Sequence, residues 1–112
     1  MKVLMFILND PDLLEPLLDE LSAAGVRGCT IFDSNGMGRQ LAKKRPDAFS
    51  LIFGSLVKTS THTTSKTLMM ILDEPRIAAV TQAIETVVGS LDKPGSGVLF
   101  SFGLDMVKGL KL

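Results

Sequence analysis

Two glycine clusters carry the most chemically suggestive spacing in this chain. Gly36-Met37-Gly38-Arg39-Gln40 sets two glycines against an arginine, and Lys93-Pro94-Gly95-Ser96-Gly97 sets two more behind a lysine. Successive main-chain amides around glycine can form a concave nest for an anion, because no Cβ blocks close approach. An arginine beside such a nest adds a planar fork of donors matched to phosphate oxygens. Each cluster alone reads equally well as a turn, and Arg39 alone as a surface charge. Catalytic and metal chemistry find less support. His62 stands in Thr-Ser-Thr-His-Thr-Thr-Ser with no second histidine, cysteine or paired carboxylate nearby, so no metal ligand is assigned. Cys29, the single cysteine, reads as a small buried hydrophobe, and Met69-Met70 as core. Asp73-Glu74 read as a helix cap, not as a catalytic pair. No Ser-His-Asp arrangement, Walker loop or zinc-spaced cluster is present, so no catalytic residue is assigned either.

The composition bounds the rest. The chain has 112 residues, 46% of them hydrophobic and 21% charged, which suits one folded domain and argues against intrinsic disorder. Twelve basic side chains balance twelve acidic ones, which disfavours a sequence-blind nucleic-acid binder. One cysteine cannot make an internal disulfide or a cysteine-rich zinc site. Val3 to Leu8 is too short an apolar run for a membrane span and stops at Asn9-Asp10, so a cytoplasmic protein is expected. The neutral total hides an asymmetry: residues 36–66 hold six basic groups and one acidic, leaving an excess of five acidic groups elsewhere. Within that segment Lys43-Lys44-Arg45 reads as a solvated face before it reads as a docking patch.

These residues need elements to position them. Residues 2–8 read as an interior strand. Asp12 and Glu15 have the spacing of a reciprocal cap, and the helix that follows aligns Leu14, Leu17, Leu18, Leu21 and Ala24 up to a stop at Gly25. Val26 to Asp33 reads as a second strand, followed by a turn at residues 34–38. Residues 36–66 form a long loop, with one short helix where Phe49, Ile52, Phe53 and Leu56 share a face. Residues 67–72 are a third strand. Asp73-Glu74-Pro75 opens a second long helix, with proline in its first turn and Ile77, Val80, Ala83, Ile84, Val87 and Val88 as its buried stripe. Residues 91–97 are the glycine loop. Val98, Phe100, Phe102 and Leu104 share one face of a fourth strand, and residues 105–112 are a tail that could add an edge strand. Two βαβ units in this order give an α+β, ferredoxin-like sheet with both helices on one face. The other face is left apolar and uncovered, which points to self-association.

Gly28-Cys29-Thr30 followed by Gly36-Met37-Gly38-Arg39-Gln40, and Lys93-Pro94-Gly95-Ser96-Gly97 followed by Val98-Leu99-Phe100, resemble the PII signal-transduction proteins over nearly the whole chain. The resemblance implies a single PII-like domain over residues 1–112, with residues 36–66 as the long T-loop-like segment. It implies a homotrimer whose sheets face inward, which would cover the open face. It also implies an adenine nucleotide in the cleft between subunits, where glycine hairpins of adjacent protomers converge. Thr30 would face the adenine, and Leu72 would be a further nucleotide-binding residue. Gly36, Met37, Gly38, Arg39 and Gln40 would lie along the nucleotide, Gly95, Ser96 and Gly97 would offer backbone amides to phosphate, and Lys111 would lie near the phosphates.

The departures shape the expectation. Val98 stands where the family usually has a lysine, and Gly109 occupies one of two basic positions. Fewer cations weaken the attraction for a triphosphate, so AMP, ADP or a cyclic nucleotide is expected above ATP. The chain has no tyrosine to be uridylylated, and residues 41–64 do not match the nitrogen regulators' loop. The expectation is a divergent PII-like regulator that controls a protein partner, a transporter or metabolic enzyme, through its long loop. Slow nucleotide hydrolysis at the same cleft, and a nucleotide-independent trimer of the copper-tolerance type, are the alternatives.

Overall fold

The computed structural model describes residues 1–44 and 64–111. In chain order these form β1 (Lys2–Leu8), α1 (Leu14–Ala23), β2 (Thr30–Ser34), α2 (Met37–Lys44), β3 (Ser65–Leu72), α3 (Ile77–Val88) and β4 (Val98–Gly103). The four strands make one antiparallel sheet in the order β2-β3-β1-β4. β1 and β3 occupy its centre. This is the ferredoxin-like α+β arrangement expected from the element order.

Alternation along β1 and β3 decides which face is covered. Leu4, Phe6 and Leu8 of β1 and Leu68, Met70 and Leu72 of β3 are buried with Leu17 and Leu21 of α1 and Val80 and Ile84 of α3. Leu14, Leu18, Ile77, Val87 and Val88 pack around that cluster, so both helical stripes close on the same side of the sheet. The opposite side carries Val3, Met5 and Ile7 in register with Phe102, Phe100 and Val98 of β4. Val3 is buried there, but Val98, Phe100 and Phe102 are 55%, 43% and 49% exposed, so among the described residues the β4 part of this apolar strip is left open.

Local chemistry differs from the expectation in four places. Asp10, not Asp12, caps the entry to the first helix: its carboxylate accepts from the Asp12 amide at 3.0 Å and opens a 3-10 turn over Pro11–Leu13. Pro75 likewise sits in a 3-10 turn, Glu74–Arg76, and the Asp73 side chain makes no capping bond. β2 begins at Thr30, not at Val26. The amides of Gly25 and Val26 donate to the carbonyls of Ser22 and Leu21, both at 3.0 Å, and this Schellman closure leaves Val26 out of the sheet. Gly25 takes φ +90 there, as the stop to α1 requires. Residues 104–111 add no strand. The short helix expected around Phe49 to Leu56, and His62, lie outside the described residues.

The fourth difference is α2, which covers residues expected to be turn and loop. Its first bond runs from the Gln40 amide to the Gly36 carbonyl at 3.1 Å. Gly38 lies inside it, at a cost of about 1 kcal/mol relative to alanine.

Candidate functional site

The residues singled out in the sequence fall into two groups, set at different places on the sheet. The first lies where β1 ends and β3 begins. Arg39, carried by α2, donates from Nη2 to the main-chain carbonyl of Asn9 at 2.7 Å and from Nη1 to Ser65 Oγ at 3.0 Å. Asn9 in turn donates from its side-chain amide to the Gly95 carbonyl at 3.1 Å. Ser65, the first residue of β3, is buried, and its carbonyl accepts from Ser34 Oγ at 3.4 Å. Ser34 Oγ also shares a 2.6 Å hydrogen bond with Thr67 Oγ1. The start of the long segment and the glycine loop are therefore tied together within a single chain, through Asn9.

The glycine loop owes its shape to two residues. The Ser96 amide reaches back to the Lys93 carbonyl at 3.4 Å, closing a turn with Pro94 and Gly95 at its centre. Gly95 has φ +81, which a type II turn requires behind a proline. Gly97 has φ +126, and a Cβ there would come within 2.6 Å of the Ile7 carbonyl and 2.8 Å of the Phe6 ring. The loop's exit is thus pressed directly onto β1, and only glycine fits. Gly95 is exposed and Ser96 and Gly97 half-buried, next to the exposed Val98. Along α2, Gly36, Met37 and Gln40 are exposed while Gly38 and Arg39 are half-buried.

The second group lines an open groove of about 470 Å³. Gly25, Arg27, Gly28 and Cys29, which precede the start of β2, are among the residues that line it. Gly28, Cys29 and Thr30 line it together with Met69, Ile71 and Leu72, and Arg27, Asp73, Arg76 and Leu110 also border it. Thr30 and Leu72, both expected at the nucleotide, are brought together here, and Lys111 follows directly on Leu110. Arg76 donates to the carbonyls of Ala24 at 3.3 Å and Gly25 at 3.0 Å, satisfying the end of α1. Burial pushes the Cys29 thiol above its ordinary value, outweighing a main-chain bond from Met69 that acts the other way.

Within one chain the groove and the glycine loop stand at opposite edges of the sheet. Thr30 pairs with Met69 on the β2 edge, and Val98, just past the glycine loop, pairs with Ile7 on the β4 edge. Three strand spacings, about 14 Å, separate the two edges. Arg27, Arg76, Asn9 and Ser65 were not singled out in the sequence. Asn9 read as a break after β1, and its partners lie 30 and 86 residues away, beyond any local pattern.

Among the described residues no group of His, Cys, Asp or Glu is placed to hold a metal ion, and no helix is long and apolar enough to cross a membrane. No curated protein matches the sequence. The family model for nitrogen regulatory protein P-II matches residues 1–111. That match spans nearly the whole chain and agrees with the sheet order and the paired helices on one face, so the chain belongs to the nitrogen regulatory protein P-II family.

Proposed function

We propose that this PII-like regulatory protein is a trimer that binds an adenine nucleotide between subunits and controls a protein partner through the segment that follows α2. The observation that carries the reading is the separation of the two residue groups. Each is half of a nucleotide site: the groove at Thr30 and Leu72 offers apolar walls to a base, and the end holding Arg39 and Gly95 offers donors to phosphate. A second copy laid against the first can bring one chain's groove to another chain's loop. The open strip of Val98, Phe100 and Phe102 gives the copies a reason to associate. AMP, ADP or a cyclic nucleotide suits the site better than ATP, because Val98 and Gly109 add no cation.

The reading is tested by melting the protein against ATP, ADP, AMP and cyclic nucleotides, with its mass in solution measured alongside. A ligand at a hundredfold its dissociation constant adds about 2.7 kcal/mol to the native state, a rise of several degrees. A trimer with no shift for any nucleotide would leave assembly standing and remove the ligand. A monomer would remove the whole reading.

A further inference from the structure

We propose that Asn9 is a positioning residue that couples the glycine loop to α2, so that a change at either is felt at the other. Asn9 follows directly on β1 and faces two elements with two different groups. Its side-chain amide holds the Gly95 carbonyl at 3.1 Å, while its own main-chain carbonyl receives Arg39 Nη2 at 2.7 Å. The two bonds depend on each other. The orientation of the Asn9 peptide plane sets where its carbonyl points, and the anchored side chain restrains that plane. Releasing Gly95 frees the plane to rotate and draws the carbonyl off Arg39. Displacing Arg39 loosens the residue that holds the loop.

The relay continues past Arg39. Nη1 reaches Ser65 Oγ, and the Ser65 carbonyl receives Ser34 Oγ, so the ends of β1, β2 and β3 share one run of hydrogen bonds with α2 and the glycine loop. Ser65 is buried, so the anchor at that end is held rigidly. An anion that engages Arg39 or the glycine-loop amides perturbs one end of this run, and the energy it transmits is the same in both directions. This part of the inference rests on the nucleotide reading above. The coupling itself does not.

Amide hydrogen exchange on the full-length protein tests it without ligand. Asn9→Ala keeps the main-chain carbonyl and removes only the clamp on Gly95. Exchange is expected to rise about fivefold in peptides covering residues 93–97 and, together with them, in peptides covering residues 37–44. Peptides from the centre of β1 and β3 stay at the wild-type rate. Asn9→Gln, which keeps the amide donor, restores part of the protection at both places. A rise confined to residues 93–97, or no rise, overturns the proposal. Should Asn9→Ala fail to fold, Ser65→Ala removes the other Arg39 anchor, and loosening of residues 93–97 as well as 37–44 is then the required result.

With AMP added, wild-type protein gains protection in both segments, whereas Asn9→Ala gains it in one alone. Equal protection of both segments in the variant overturns the coupling. If AMP, ADP and cyclic nucleotides all change nothing in wild-type protein, the nucleotide reading fails and the ligand-free comparison still decides the role of Asn9.

Discussion

Arg39 donates to Asn9 and to Ser65 in the same chain, so it holds the fold. Arg39→Ala is therefore expected to lower stability by about 2 kcal/mol in the absence of any nucleotide, read as a fall in thermal midpoint. Arg39→Lys should recover less than half of the loss, because a single ammonium cannot reach both anchors as a fork does. A midpoint unchanged by Arg39→Ala would show that both bonds are dispensable. Cys29 gives a second residue-scale expectation. Burial raises its pKa in the folded chain, so the thiolate is scarcer at pH 8 than in a peptide. Alkylation by iodoacetamide should be slower than for an unstructured cysteine, and faster once the chain is unfolded. The sign for stability follows. The contribution is complete below the unfolded thiol's pKa and fades as pH rises through the folded one, so wild-type protein should lose more stability than Cys29→Ser on the alkaline side.

At the scale of the element, the periodic pieces were legible and the anchored ones were not. The stripes of α1 and α3 and the apolar runs of β1 and β3 are written in side-chain spacing, and all four elements appear where the spacing set them. α2 lacks such a stripe. Its sequence carries one glycine near its start, with another just before it, and Arg39 within it grips a carbonyl 30 residues earlier. The late start of β2 was hidden for a similar reason: Val26 has strong strand character, but its amide belongs to the close of α1. The groove could not be read from the sequence, because the residues that line it come from stretches far apart in the chain. Two glycines test these elements. Gly97→Ala meets both a positive φ and the Ile7 carbonyl, and should cost about 3 kcal/mol in denaturant unfolding. Gly25→Ala meets a positive φ and the movable end of Arg76, and should cost less, about 1 kcal/mol. If the two variants are equally stable, the close approach at Gly97 is not the constraint described here.

For the whole molecule the deciding feature is the sheet face opposite the helices. Phe100 and Phe102 lie on it beside Val98, all substantially exposed in a single chain. Phe100→Asp is expected to yield a folded monomer in sedimentation, because the helix-side core is untouched, and to abolish any nucleotide-induced rise in melting temperature. Retention of the wild-type mass would show that the face is not where copies meet.

If copies cover that bare aromatic strip as proposed, the protein's behaviour would depend on how much of it there is. Dilution should then lower the melting midpoint steadily, and a midpoint independent of concentration would show that the strip is not buried between copies. In that assembly abundance itself would act as an input, because few complete assemblies would exist below some level.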